Sequence, residues 1–193
     1  MPQATLFDSG PQILIDDAEG GVRYWPGFID ERTVEDWFAT LRDTIHWHAE
    51  RRPMYDRMVD VPRLLAGFSL QDGTLPGVLR DAGMRVRSML DVQFTHVGLN
   101  FYRDGRDSVA PHNDRLHSIL AGQPIALLSL GAARRMDIRD KQPPRSTRRI
   151  ELEPGSLLVM SYDSQKHYDH GIPKTRQPVG PRISVVFRVR SGT

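Results

Sequence analysis

The 193-residue sequence contains no cysteine, which excludes disulfides, iron–sulfur clusters and zinc sites built on thiolates. It has no apolar run long enough to span a bilayer, and its first residues do not resemble a signal peptide. With 39% hydrophobic and 26% charged residues, the composition is typical of a soluble globular protein. The sequence therefore predicts a single cytoplasmic domain that does not bind membranes, and we expect a monomer.

Positive charge is in small excess, with a net charge of +2, but it is unevenly placed. The stretch 134–149 contains two acidic residues, Asp137 and Asp140, and a larger set of basic residues, namely Arg134, Arg135, Arg139, Lys141, Arg145, Arg148 and Arg149. Local basic density of this kind suits phosphate backbones. A solvated loop on an arginine-rich protein is the alternative interpretation.

Hydrophobic periodicity divides the chain into a helical first part and a strand-rich second part. Asp30 is a candidate N-cap for an amphipathic helix, and Thr74 is a candidate cap for a second helix with Pro76 in its first turn. The segment between these helices lacks periodicity, which is uncommon in a compact domain unless the segment is functional. The resulting layout has four parts: an N-terminal extension and helix over 1–46, an irregular substrate lid over 47–73, a helix over 74–91, and a β core with the site over 92–193.

Two histidines and one carboxylate form a candidate metal site. His112 and Asp114 point to the same side if the chain is extended there, and His170 lies on a turn far downstream. Two histidines and one carboxylate on one face of a metal leave three positions open, which is the pattern of non-haem Fe(II) oxygenases. Zinc is the alternative metal. His167 is the rival of His170, which we favour because Gly171 allows the chain to turn tightly against a metal.

The last predicted strand carries two arginines on one face. Arg182, Ser184 and Arg188 alternate with apolar residues, so they share the face that does not enter the core. Guanidinium groups bind carboxylates through paired hydrogen bonds, and a dicarboxylate between the arginines would explain them. Asn100 and Tyr102 share a face of an earlier strand and offer an amide and a phenol to the same ligand. Two exposed strand arginines and ordinary strand alternation are the alternative interpretations.

Several motifs, taken together, resemble the AlkB family of 2-oxoglutarate- and Fe(II)-dependent oxygenases. They cover about 62–190 in the family's order and lie at 62–68, 100–105, 112–114, 124–131, 155–160, 170–173 and 182–188. The resemblance implies an α+β fold, in which N-terminal helices pack on one sheet of a double-stranded β-helix (jelly-roll) core. It also implies Fe(II) and a bound 2-oxoglutarate, with O2 as the second cosubstrate.

The resemblance assigns a role to each candidate residue. Fe(II) would be held by His112, Asp114 and His170. The residues expected to hold 2-oxoglutarate are Asn100, Tyr102, Arg182, Ser184 and Arg188. The family's usual substrate is nucleic acid carrying N-alkylated bases, whose methyl group is oxidised and leaves as formaldehyde while 2-oxoglutarate becomes succinate and CO2. For this substrate we expect Phe68 to stack on the flipped base, Arg63 to act from the lid, and the basic stretch to bind phosphates through Arg145, Arg148 and Arg149.

The chain departs from the family pattern at three places. Leu116 stands where an acidic residue is usual, Ser184 where asparagine is usual, and Phe68-Ser69 where a tyrosine-glycine pair is usual. These changes leave the metal and cosubstrate residues in place but predict a relaxed base preference. An oxygenase acting on a protein side chain or a small metabolite is the alternative function. A non-enzymatic β-sandwich binding module would leave the metal and arginine sets unexplained.

Overall fold

Two antiparallel β-sheets face each other and enclose the core. The computed structural model describes residues 10–54 and 56–190, without the side chains of Arg52, Met54 and Arg57. The strands are β1 Gln12–Ile15, β2 Val22–Trp25, β3 His48–Met54, β4 Arg57–Ser69, β5 His96–Tyr102, β6 Val109–His112, β7 Ile125–Gly131, β8 Arg134–Asp140, β9 Thr147–Leu152, β10 Leu157–Met160, β11 Tyr168–Ile172 and β12 Arg182–Arg188. The larger sheet has the order β1-β2-β10-β7-β12-β5-β4-β3, and the smaller sheet has the order β6-β11-β8-β9. The first part of the predicted N-terminal extension, residues 1–9, lies outside the described residues.

Two long helices cover the outer face of the larger sheet. Helix α1 (Glu31–Thr44) begins after Asp30, whose carboxylate accepts a 3.0 Å hydrogen bond from the Thr33 N–H, so the predicted cap is confirmed. Helix α2 (Gly77–Leu90) begins after Pro76, and the prediction of a Thr74 cap is wrong. The Thr74 amide and hydroxyl both donate to the Asp72 carboxylate. Thr74 therefore stabilises the turn before the helix and does not cap the helix.

Two short helices complete the fold: α3 (Ser164–His167) precedes β11, and a 3-10 helix spans Leu116–Ser118. No helix in the ranges 10–54 and 56–190 is long and apolar enough to cross a membrane.

Each face of the larger sheet contributes to a different apolar layer. One face packs under the helices, where Leu41 and Leu79 contact the sheet layer that includes Leu128 and Phe187. The other face packs against the smaller sheet, with Ile138 among the residues that close this inner layer. Alternation along a strand produces this division, because successive side chains point to opposite faces. The predicted jelly-roll core with helices on one sheet is confirmed.

The lid segment has regular structure, and the prediction of an irregular segment over 47–73 is wrong. β3 and β4 form a hairpin that joins the larger sheet through β5. A register shift between Ala49 and Arg51 disturbs the alternation of β3, and charged residues interrupt that of β4. A strand whose two faces do not separate into apolar and polar sets gives no period-two signal in the sequence.

Candidate metal and cosubstrate site

The predicted metal residues come together at one end of the smaller sheet. His112 ends β6 and is paired directly with His170 on β11, and their ring centroids are 4.6 Å apart. Asp114 follows β6, and the potential ligand atoms of the three residues all lie within 4.8 Å of one another. His167 does not join this group: it lies on α3, with its side chain 57% exposed and its Nε2 3.7 Å from an oxygen of Asp163.

The protonation states of these groups suit a metal. The Nδ1 of His112 lies 3.0 Å from the carbonyl oxygen of Ala110, which makes Nδ1 the protonated nitrogen and leaves Nε2 for an ion. Burial lowers the pKa of His170 to about 4, so this imidazole is neutral at physiological pH. Burial alone would raise the pKa of Asp114, but the charge of Arg188 and its hydrogen bonds outweigh that effect and lower it. Metal ligands must be deprotonated, which the lowered pKa values of His170 and Asp114 favour, and all three residues are of types that bind Fe(II).

Arg188 contacts the carboxylate of Asp114, one of the three candidate metal ligands. Its Nε and Nη2 each donate a 3.0 Å hydrogen bond to Asp114. The sequence predicted that Arg188 would hold one end of a dicarboxylate, whereas the structure shows this fork on Asp114. Arg188 therefore fixes the orientation of the Asp114 carboxylate, and its two-pronged geometry is one that lysine cannot supply.

Arg182 is the residue whose surroundings fit a bound carboxylate. Its side chain is fully buried, and its Nε donates to the Ser129 hydroxyl at 2.9 Å. Nη1 and Nη2 are buried without a hydrogen-bond partner among the described residues. Burial lowers the pKa of Arg182 to about 10, which leaves the guanidinium charged at neutral pH. Buried polar groups are almost always hydrogen-bonded, so two orphaned donors on one cation indicate an anion site that fits a 2-oxoglutarate carboxylate.

The other predicted cosubstrate residues surround this guanidinium. In the β5–β12 register, Tyr102 lies opposite Arg182 and Asn100 lies opposite Ser184. The Arg182 guanidinium carbon is 5.3 Å from the centroid of the Tyr102 ring, and the Asn100 amide donates to the Ser184 hydroxyl at 3.4 Å. These side chains form one polar wall, which can hold a ligand of the size and charge of 2-oxoglutarate.

A second buried arginine, Arg134, lies behind the cosubstrate wall and was not predicted to be buried. It belongs to the basic stretch in the sequence, but it is only 3% exposed and its guanidinium carbon is 5.6 Å from the Tyr102 ring centroid. It donates to three backbone carbonyl oxygens, those of Asp104, Asp107 and Pro173. Its alternation with Met136 and Ile138 along β8 was the signal that would have placed it inside.

An open cavity of about 1550 Å³ contains both the metal residues and Arg182. The lid forms one wall, where Arg63 donates to the Asn100 side-chain oxygen at 2.7 Å. Phe68 is not in this wall: it pairs with Val97 on the opposite face and packs against the layer under the helices. The predicted stacking role of Phe68 is therefore wrong, and no phenylalanine, tyrosine or tryptophan occurs among the described lid residues that line the cavity.

The basic stretch forms the β8–β9 hairpin, called the basic hairpin below. Arg145, Arg148 and Arg149 are all exposed on it. Arg148 lies 3.8 Å from an oxygen of Asp140, and Arg149 lies 3.9 Å from one of Asp137. Exposed ion pairs at such distances are weak, so these guanidinium groups can still bind other anions.

Comparisons with known proteins identify the class to which this fold and site belong. The profile of the 2OG-Fe(II) oxygenase superfamily matches residues 69–188. The DNA oxidative demethylase ALKBH2 of Homo sapiens is 35% identical over 130 residues, which are 64% of this chain and 50% of that protein. The alpha-ketoglutarate-dependent dioxygenase alkB homolog 3 of Mus musculus is 29% identical over 187 residues, 85% of this chain and 64% of that protein. The chain therefore belongs to the 2OG-Fe(II) oxygenase superfamily and, within it, to the AlkB family.

Solved structures agree on the fold. The non-haem alpha-ketoglutarate-dependent epimerase SnoN superposes with a TM-score of 0.63 at 13% identity, over 88% of this chain and 78% of that one. OsALKBH1 superposes with a TM-score of 0.61 at 15% identity, over 93% of this chain and 100% of that one. The chain spans about half the length of the ALKBH2 relatives. Membership in the superfamily makes Fe(II), 2-oxoglutarate and O2 the cofactor and cosubstrates of this chain, as the sequence predicted.

Proposed function

We propose that this protein oxidatively demethylates N-alkylated bases in nucleic acid, with Fe(II) held by His112, Asp114 and His170. 2-Oxoglutarate binds with one carboxylate on the guanidinium of Arg182, beside Tyr102, Asn100 and Ser184. When bound, Fe(II) with O2 and 2-oxoglutarate supplies an oxidation that converts 2-oxoglutarate to succinate and CO2 and the N-methyl group to formaldehyde, leaving N–H on the base.

The observation that carries this proposal is the shared cavity. The metal residues and the orphaned donors of Arg182 open into one space of about 1550 Å³, which exceeds the usual range for a small-ligand site. Volume is left under the lid for a second, larger molecule such as a flipped base. Apart from the His48 imidazole, the described lid residues that line the cavity are apolar or charged and include no phenylalanine, tyrosine or tryptophan, which supports a loose preference among bases.

The chain's own groups account for binding and orientation. Arg182 supplies a fixed positive charge that cannot be lost at neutral pH, so it binds a dianion without a proton change. Arg188 holds the Asp114 carboxylate, and Ala110 fixes the tautomer of His112, so two metal residues are oriented before an ion arrives. This preorganisation lowers the ordering entropy lost when metal and cosubstrate bind.

A panel of oligonucleotides tests the activity directly. Single- and double-stranded DNA and RNA, each carrying one N-methylated base, are incubated with protein, Fe(II), 2-oxoglutarate and O2, and analysed by mass spectrometry. We expect the mass of at least one oligonucleotide to fall by one CH2, with formaldehyde and succinate formed in equal amounts and no loss with Asp114→Ala. Succinate formation on a methylated peptide or metabolite, with every oligonucleotide unchanged, would favour the alternative substrate class.

The basic hairpin provides a second test, since phosphate contacts make binding salt-dependent. Replacing Arg145, Arg148 and Arg149 by glutamine should weaken oligonucleotide binding and reduce the salt slope by roughly 0.9 per lost contact on duplex DNA. A matched control removes the same charge from the helices that cover the outer face of the larger sheet, through Arg32, Arg80 and Arg87. Equal effects in the two triple variants would show that total charge, and not the hairpin, controls binding.

A further inference from the structure

The turn that carries Asp114 has little regular structure of its own. β6 ends at His112, and residues 113–115 belong to no strand or helix. The backbone amide of Asp114 is instead held by a side chain, because its N–H donates to the Oε1 of Gln165 at 3.0 Å in a buried contact. Gln165 is 1% exposed, and its Nε2 donates to the Ser164 hydroxyl at 3.2 Å. One glutamine therefore satisfies the buried N–H of a metal residue.

Gln165 is itself fixed from behind by a buried polar chain. The Ser164 hydroxyl donates to the Ser161 carbonyl at 2.7 Å, and the Ser161 hydroxyl donates to the Asp17 carboxylate at 2.7 Å. Ser161 and Ser164 are 3% and 2% exposed, and the bond to Asp17 at the far end is partly buried. Satisfied polar networks with little contact with water are rigid, and this one runs from the β1–β2 turn to the backbone of Asp114.

Lys141 joins both halves of the metal motif. Its Nζ donates to the Asn113 side-chain oxygen at 3.0 Å and to the Gln165 carbonyl at 2.8 Å. The same Nζ lies 3.9 Å from a carboxylate oxygen of Asp169, the neighbour of His170. A lysine ammonium has three donors and no acceptor, so Lys141 can bond to acceptors on two separate segments while its charge faces Asp169. In the sequence, Lys141 is distinguished only as one of the charges of the basic stretch.

We propose that Gln165 and Lys141 are positioning residues that hold the 112–114 turn so that the Asp114 carboxylate stays aimed at the metal. The inference rests on the metal residues proposed above. Gln165 acts on the backbone of Asp114, and Lys141 acts on the neighbouring Asn113 and on Gln165 itself. Gln165 therefore holds the main chain of Asp114, and Arg188 holds its carboxylate.

The test measures metal affinity separately from cosubstrate affinity and from stability. Mn(II), a stand-in for Fe(II) that does not react with O2, is titrated by calorimetry into the full chain. 2-Oxoglutarate is then titrated at saturating Mn(II), and urea unfolding is followed without metal. Gln165→Met keeps the side-chain length and removes the acceptor. Groups that orient metal ligands typically contribute 10- to 100-fold to metal affinity, which is the loss we expect. The dissociation constant of 2-oxoglutarate should stay within about twofold, because Gln165 does not touch that pocket.

Two matched controls separate positioning from loss of a buried hydrogen bond or of a charge. Ser156 is 1% exposed and donates to the Glu153 carbonyl, so Ser156→Ala removes a similarly buried bond away from the metal turn. Lys166 pairs with Asp163, so Lys166→Met removes the same charge from α3. Lys141→Met should weaken Mn(II) binding by roughly two- to tenfold, the equivalent of one hydrogen bond. Both controls should bind Mn(II) like the parent.

The Mn(II) affinities of these variants distinguish an error in the positioning proposal from an error in the assignment of the metal ligands. Mn(II) affinity of Gln165→Met within twofold of the parent, or reduced no more than in Ser156→Ala, overturns the proposal. Should Gln165→Met not fold, Lys141→Met against Lys166→Met decides in the same way. Asp114→Ala is measured alongside: if it too binds Mn(II) like the parent, the ligand assignment itself is wrong. If Mn(II) affinity is lost with Asp114→Ala but kept in the Gln165 and Lys141 variants, the ligand assignment is supported and only the positioning proposal is refuted.

Discussion

Replacing Arg182 by methionine should stabilise the ligand-free protein while removing its affinity for 2-oxoglutarate. Methionine keeps the apolar stem of the side chain in the buried site and removes the guanidinium. In the ligand-free protein that group is fully buried, with two nitrogen atoms that have no hydrogen-bond partner in the described part of the chain. An unsatisfied buried donor destabilises the folded state, so the substitution removes a destabilising group.

The lowered pKa of Arg182 gives the magnitude. A pKa that falls from its ordinary value to about 10 on folding means that the charged form is disfavoured in the folded state. At about 1.4 kcal/mol per pH unit, this amounts to about 3 kcal/mol of destabilisation at any pH below 10, lost as the pH rises above that value. The lost hydrogen bond to Ser129 offsets about 1 kcal/mol of the gain. For a chain of this length, the remaining stabilisation of about 2 kcal/mol corresponds to a rise in Tm of roughly 4–8 °C.

Arg134 offers a control with the opposite expected sign. It is also buried, though slightly less than Arg182, and lies near the same tyrosine, but its guanidinium is satisfied by three backbone carbonyls. Arg134→Met removes the donor from the Asp107 and Pro173 carbonyls, while the Asp104 carbonyl keeps the Asp107 N–H. The substitution should therefore lower the free energy of unfolding by at least about 2 kcal/mol.

The assay is thermal unfolding with and without Mn(II) and 2-oxoglutarate. At 100 times its dissociation constant, 2-oxoglutarate should stabilise the parent by about 2.7 kcal/mol and leave Arg182→Met unchanged. The reasoning is refuted if ligand-free Arg182→Met loses as much stability as Arg134→Met, or if 2-oxoglutarate still stabilises it.

Three further predictions concern the metal residues. Asp114→Ala should abolish succinate formation and the Tm increase caused by Mn(II), while circular dichroism shows a folded protein. Arg188→Lys should weaken Mn(II) binding by roughly tenfold, because lysine cannot donate two parallel hydrogen bonds to Asp114; an unchanged calorimetric titration would contradict this role. Gly171→Ala should weaken both Mn(II) binding and stability, since the added methyl would lie 2.9 Å from the Val109 carbonyl and separate β11 from β6; Gly73→Ala, with no atom within 4 Å, is the control that should change neither.

The parts of the site that sequence could predict are those where one face of a strand explains the pattern. Arg182, Ser184, Asn100 and Tyr102 alternate with core residues, so their common wall follows from strand geometry once the two strands pair. The metal residues followed from spacing together with family resemblance, and the structure brings them within ligand distance. The roles of these residues stay predictions until the variants above are measured.

The lid shows why the remaining parts could not be predicted. Phe68 was predicted to stack on the base because an aromatic residue in an irregular lid can reach it. In a strand, however, the direction of a side chain depends on whether its position along the strand is odd or even. Pairing with Val97 puts Phe68 on the helix side, whereas Leu65, opposite Asn100, lines the cavity. A register of this kind depends on which residues of a distant strand are hydrogen-bonded, and β4 and β5 are separated in sequence by the whole of α2.

Arginine burial shows the same limit in electrostatic terms. Arg134 and Arg188 both satisfy their charge within the chain, on carbonyls and on Asp114 respectively, while Arg182 keeps two donors for a ligand. Residue type is identical in the three cases, and the pattern of alternation distinguishes inside from outside but not satisfied from unsatisfied. What separates a structural cation from a binding cation is the count of acceptors around it, which depends on loops brought together by the fold. The orphaned donors of Arg182 are therefore the strongest physical argument for an anionic cosubstrate in this protein, independent of any family resemblance.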